Sequence, residues 1–109
     1  MEIDPAKIVV PNDKLAGYLL STTHPIGRYK SAFFLGLGYT PEASERLEVD
    51  LKALLASSAE LGKVTAFGQK VLSRGQIAGP NGRVGRVLAI WIILSGESLV
   101  RFVTAYPED

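Results

Sequence analysis

The residues of this chain best suited to chemistry are concentrated in one short stretch, Thr23 to Leu37, THPIGRYKSAFFLGL. It contains His24, the single histidine, whose ordinary pKa suits proton transfer near neutrality. His24 stands before Pro25, a position pushed away from helix, and Gly27 two residues later can cap a helix that begins at Arg28. Arg28 and Lys30 then fall in the first helical turn, where the macrodipole disfavours cations. Open amide groups, two cations and an imidazole together suit a bound anion such as phosphate. Each residue also has a plainer reading. His24 can simply cap a helix, and Lys30 can be a surface lysine whose stem lies on Phe34.

The positioning elements follow from periodicity. Residues 3–10 can form a short edge strand before Pro11. Asn12 can cap a first helix with Leu15, Tyr18, Leu19 and Thr22 on one face. The second helix spans 28–37, with a Tyr29–Phe33–Leu37 stripe and Gly38 as its stop. Thr40-Pro41 opens a third helix, which buries Leu47, Leu51, Leu54, Leu55 and Ser58, wets Glu45, Glu48, Asp50 and Lys52, and ends at Gly62. The period then changes from 3.6 to 2, which predicts strands at 64–67, 70–78, 83–94 and 99–106. Gly79-Pro80-Asn81-Gly82 and Ser95-Gly96-Glu97-Ser98 make the last two turns. Three N-terminal helices followed by a four-stranded antiparallel β-meander make an α+β fold in one domain, residues 1–109.

If Ala78 opposes Arg83 and Leu94 opposes Leu99, Trp91 faces Phe102 and the sheet has two distinct sides. Val71, Ile77, Val84, Leu88, Ile90, Ile92, Leu99 and Val103, with Arg86 and Arg101 among them, form the side expected to pack on the helices. Lys70, Arg74, Gln76, Val87, Trp91, Phe102, Thr104 and Tyr106 form the other, a mixture of cations, aromatics and a hydroxyl suited to phosphates and stacked bases. Trp91 and Phe102 are more often core residues than stacking platforms, because large aromatics usually bury. A slip of one residue exchanges the two faces.

Composition narrows the classes. The chain has 109 residues, 47% hydrophobic and 21% charged, as a globular domain would. Cysteine is absent, which excludes disulfides and thiolate metal sites and is compatible with a reducing compartment. No apolar run has the length of a membrane span, and the acidic start lacks a signal-peptide pattern, so the expectation is a cytoplasmic protein without membrane association. Residues 1–60 carry six Lys/Arg against eight Asp/Glu, and residues 61–109 carry six against three, so the halves differ in charge at −2 and +3. A basic second half hints at an anionic partner. With one histidine, and neither CxxC nor HExxH, no zinc site is expected; no GxSxG elbow or dinucleotide fingerprint occurs.

The blocks PNDKLAGYLLSTTHPIGRYKSAFFLGLGY, GQIAGPNGR, IWII and RFVTAYP, spanning about Ile8 to Pro107, resemble a small bacterial domain family of unknown function. Its pattern is HPxGxxKAxFF, GPDGR, a VW pair and VTAYP. That family is similar to the ribonuclease toxin superfamily of barnase, EndoU, tRNA-cleaving colicins and RelE, whose architecture is N-terminal helices followed by a four-stranded antiparallel sheet. The resemblance implies metal-independent RNA cleavage by 2′-OH transesterification, without a cofactor, in a toxin neutralised by a cognate antitoxin protein. It makes His24 a general acid or base, Lys30 a stabiliser of phosphate charge and Thr104 a phosphate hydrogen-bonding group. Trp91 or Tyr106 would stack a base, with Arg28, Lys70 and Arg74 as further RNA contacts. The chain departs from the pattern in having Lys30-Ser31 for KA and Leu88-Ala89 where a cation often precedes the Trp. Two other readings fit the same residues: an inactive anion- or protein-binding domain, and a hydrolase or transferase acting on a small nucleotide.

Overall fold

A computed structural model of the chain describes residues 2–108; the side chain of Tyr29 lies outside that description, and with it one member of the expected Tyr29–Phe33–Leu37 stripe. In chain order come β1 (Ile8–Val9), α1 (Asn12–Lys14) continued by a π-helical turn (Leu15–Leu19), α2 (Arg28–Gly36) and α3 (Glu45–Ser58). Four longer strands follow, β2 (Ala59–Thr65), β3 (Gly68–Ala78), β4 (Val84–Leu94) and β5 (Val100–Pro107). No helix among the described residues is long and apolar enough to cross a membrane.

The fold is α+β, but its sheet is not the expected four-stranded antiparallel meander. Five strands lie in the order β1-β5-β4-β3-β2, and β1 runs parallel to β5. Ile8 and, just beyond the strand, Val10 are buried, and Ile8 pairs with Val100 and Val9 with Arg101. From Phe102 onward β5 has a strand neighbour on one side only, β4.

On α3 the leucine spacing is decisive. Leu47, Leu51, Leu54 and Leu55 are all buried, each contributing roughly 1.5–3 kcal/mol of apolar burial. Ser58 is only half-buried and donates to Leu54 O at 2.9 Å. The helix stops there rather than at Gly62, and Ala59 turns directly into the extended conformation that starts β2. Thr40-Pro41 opens a 3-10 turn (Pro41–Ala43) before the helix proper. At the other end of the layer, Gly38 stops α2 as expected, with φ +96°.

The strand register differs by one residue from the expected one. Ala78 opposes Val84 rather than Arg83, because Arg83 belongs to the turn: Gly79 N donates to Arg83 O at 2.8 Å, and Arg83 N donates to Asn81 Oδ1 at 2.9 Å. Val71 consequently faces Trp91, and Trp91 faces Phe102, as the second turn had implied. The slip turns β4 over against β3: Val87 and Trp91 join Val71 and Ile77 on the helix-packed side, while Leu88, Ile90 and Ile92 join Lys70, Arg74 and Gln76 on the other. The side packed on the helices carries Val71, Ser73, Ile77, Val87, Ala89, Trp91 and Phe102, all buried. The opposite side carries exposed Lys70, Arg74, Gln76 and Arg86 around half-buried Leu72, Leu88, Ile90 and Ile92. On the helix-packed side, α2 reaches Gly85 so closely that an added Cβ would lie 2.7 Å from Phe33 Cζ.

Candidate functional site

The path to the site begins in the π-helical turn, where Leu20 N reaches back to Leu15 O at 2.8 Å and the widened turn carries Tyr18. The chain then reverses before α2. Ser21 Oγ accepts from His24 N at 3.0 Å, and His24 Nδ1 accepts from both Ile26 N and Gly27 N at 3.0 Å. Arg28 N donates to His24 O at 3.2 Å. Gly27 has to be glycine: a Cβ there would fall 2.0 Å from Tyr18 O. The turn is thus pressed onto the backbone of Tyr18, and the amides of Ile26, Gly27 and Arg28, expected to receive an anion, are occupied within the protein. With two amides aimed at Nδ1, Nε2 is the ring nitrogen that bears hydrogen in the neutral imidazole.

Two turns of chemistry meet at Lys30. Its Nζ donates to Tyr18 Oη at 2.7 Å and to Thr104 Oγ1 at 2.8 Å, and those two hydroxyls lie 3.1 Å apart. The ammonium also lies 4.0 Å from the centroid of the Tyr106 ring and 5.1 Å from that of Tyr18, within the range of cation–π attraction. These contacts offset the unfavourable dipole at the start of α2. Among the described residues no carboxylate pairs with Lys30. An ammonium has three donors, so one remains for a ligand.

Tyr18 is the most perturbed member. Burial pushes its phenol up, but the hydrogen bonds to Lys30 and Thr104 and the charges of Lys30 and Lys14 outweigh that and leave its pKa below the usual 10.0. Its ring meets that of His24 edge-on at 5.0 Å between centroids. The bulge in β5 sets the other half of the cluster. Val103 has no partner on β4, since Trp91 faces Phe102 while Ile90 faces Thr104. The extra residue re-aims Thr104. Tyr106 then lies opposite Leu88 and is exposed.

The predicted site residues therefore separate into three groups. Lys30, Thr104 and Tyr106 come together, and His24 joins them through Tyr18. Arg28 is exposed on α2, two residues before Lys30 and so on a different helix face. Lys70 and Arg74 are exposed on β3, with β4 between them and β5, and Arg74 is bridged to Glu60 at 3.2 Å and Glu108 at 3.0 Å. Trp91 is removed from the site: it is fully buried, its Nε1 donates to Ser73 Oγ at 3.0 Å, and it offers no face for stacking a base. The residue that sequence reasoning missed is Tyr18, which the helical stripe had absorbed into the core. Its only signal was the polar tip that a half-buried tyrosine must satisfy.

Among the described residues no three His, Asp or Glu side chains converge as a metal site would need. A depression of about 470 Å³ between α3 and β3, lined by Arg46, Asp50, Ser57 and Gln76 among others, shares no residue with the cluster.

The family described as a domain of unknown function, DUF6883, matches residues 3–109. No curated protein matches the sequence. Among solved structures, one chain of the contact-dependent growth inhibition toxin–immunity protein complex from Klebsiella pneumoniae 342 is similar in fold. The TM-score is 0.70 at 18% identity, over 96% of this chain and 97% of that one.

Proposed function

We propose that this chain, which belongs to the DUF6883 family, is a metal-independent endoribonuclease of toxin type, held in check by a cognate protein. The observation that carries the reading is Lys30: an ammonium without a carboxylate partner among the described residues, gripped by the hydroxyls of Tyr18 and Thr104 at 2.7 and 2.8 Å. Such a group attracts an anion while keeping one N–H and, since the two hydroxyls share one hydrogen bond, one O–H for its oxygens. The likeness to one chain of a toxin–immunity complex supports a toxin role and a protein partner.

In the proposed reaction the scissile phosphate sits against Lys30 and Thr104. The ammonium neutralises charge that grows on the non-bridging oxygens as the ribose 2′-oxygen attacks phosphorus. The 2′-O–P bond forms, the P–O5′ bond breaks, and the products are a 2′,3′-cyclic phosphate and a free 5′-hydroxyl. One group takes the 2′-hydroxyl proton and one protonates the departing oxygen. His24 and Tyr18, whose rings touch, border the cluster as the candidates for proton transfer. Tyr106 offers its exposed ring to a base, and Arg28, Lys70 and Arg74 provide outlying cations for the RNA backbone.

The test is incubation of purified protein with total RNA in EDTA beside Lys30→Ala and His24→Ala. Cleavage leaving cyclic-phosphate ends, lost in Lys30→Ala, is the expected result. Intact RNA with the wild-type chain would overturn the reading.

A further inference from the structure

We infer that Tyr18 is the general base of the site and that His24 is a positioning residue, acting through the start of α2 and the Tyr18 ring. This deepens the ribonuclease reading and rests on it. Three observations carry it. The Tyr18 hydroxyl is in direct hydrogen-bond contact with both groups assigned to the phosphate, Lys30 at 2.7 Å and Thr104 at 3.1 Å. The fold is shaped to put it there, by a π-helical turn on one side and by Gly27 packed against Tyr18 O on the other. His24, in contrast, has Nδ1 committed to the amides of Ile26 and Gly27, the task a side-chain acceptor performs at a helix start.

The groups facing Tyr18 all favour its ionised form or leave it unopposed. Lys14, from the same helix, lies 5.9 Å from the ring centroid, and Lys30 from α2 touches the hydroxyl. Thr104 from β5 donates or accepts at the same oxygen, His24 presents its ring edge-on, and Tyr106 lies beyond the Lys30 ammonium. No carboxylate among the described residues is bonded to it.

The step balances with these groups alone. Tyr18 as phenolate takes the proton of the 2′-hydroxyl as the 2′-oxygen bonds to phosphorus. The Lys30 ammonium gives a proton to the departing 5′-oxygen as the P–O5′ bond breaks. The 2.7 Å Tyr18–Lys30 hydrogen bond then returns the proton from phenol to amine and restores the pair.

The experiment compares pH–rate profiles of the wild type, Tyr18→Phe, His24→Asn and His24→Ala on a short RNA, with a ring-carbon NMR titration of Tyr18 alongside. The wild-type rate climbs with pH and levels off below pH 10, the ordinary phenol value. Tyr18→Phe loses about 10²–10⁴-fold and the climb with it. His24→Asn retains an acceptor for the two amides, so its activity falls less than about tenfold, less than that of His24→Ala, and both keep the profile. Tyr18→Phe within about tenfold of wild type, or a profile that moves with His24 rather than Tyr18, overturns the inference. The titration reads it without RNA. Ionisation below pH 10 that shifts upward in Lys30→Met supports it, and ionisation at or above pH 10 overturns it even where RNA is cleaved. An inert wild type with a lowered, Lys30-dependent Tyr18 titration sinks the ribonuclease reading alone.

Discussion

Lys30 Nζ lies 2.8 Å from Thr104 Oγ1, joining the first turn of α2 to the last strand across 74 residues of sequence. Neither element carries a complete anion site. The helix start has its leading amides engaged by His24, and β5 brings a hydroxyl and an aromatic ring to the cluster, its Arg101 being paired with Glu97. Their meeting creates a cation held by neutral acceptors, the feature on which the proposed phosphate role rests.

Loss of the Lys30 ammonium should remove transition-state stabilisation more than it harms folding. Lys30→Met is expected to lower RNA cleavage by about 10²–10³-fold, the range for a single preorganised donor. Tyr18 and Thr104 remain hydrogen-bonded to each other at 3.1 Å in that variant. Single-turnover cleavage and urea unfolding, measured together, separate the two effects. A cleavage rate within threefold of wild type contradicts the role given to Lys30.

Trp91 should behave as a core residue in every assay. Trp91→Ala is expected to cost about 3–5 kcal/mol of stability, and Ser73→Ala, which strands the indole N–H, about 1–3 kcal/mol. Equilibrium denaturation measures both. In Ser73→Ala, which keeps the indole, RNA affinity should be unchanged.

Two glycines predict opposite outcomes. Gly27→Ala forces a Cβ against Tyr18 O and should lower both melting temperature and cleavage, because it separates the α2 turn from α1. Gly36→Ala meets nothing within 4 Å at the end of α2 and should leave the fold intact, with a gain of up to about 1 kcal/mol. Differential scanning calorimetry on the pair checks the contrast.

Alkaline stability should be governed by two tyrosines of opposite sign. Burial, with the Asp50 carboxylate accepting its hydrogen bond at 2.5 Å, pushes the Tyr39 phenol well above its usual 10.0. The unfolded chain loses that proton first, so stability from Tyr39 is complete below pH 10 and falls as pH rises from there towards the folded value. Tyr18 is lowered, so it ionises first in the folded protein and adds stability as pH rises through its folded pKa to 10. Urea midpoints from pH 8 to 11 should decline more gently above pH 10 in Tyr39→Phe than in wild type.

The outlying cations should appear in the salt dependence of RNA binding. Lys70 is exposed, and Lys70→Ala should reduce the slope of log K against log salt by about 0.7 if it contacts one phosphate of a single strand. Arg74→Ala should reduce it less, since Glu60 and Glu108 already neutralise that guanidinium. A slope unaffected by Lys70→Ala places the RNA elsewhere.

The sequence by itself determined what depends on neighbours along the chain. The leucines of α3, the Gly38 stop, the strand-rich second half and the proline–glycine bend after His24 all follow from spacing and turn chemistry, which act over a few residues. Tertiary structure decided what depends on pairing. The slip of one residue at Arg83 placed Trp91 in the core and Lys70 on the opposite face, since side chains alternate along a strand and the turn geometry alone sets which way each points. The π-helical turn and the Val103 bulge, each one residue out of phase with the regular pattern, brought Tyr18 and Thr104 to Lys30. Such phase errors cost local regularity, and only contacts between distant segments stabilise them, so their effect on the site was invisible until the chain was folded.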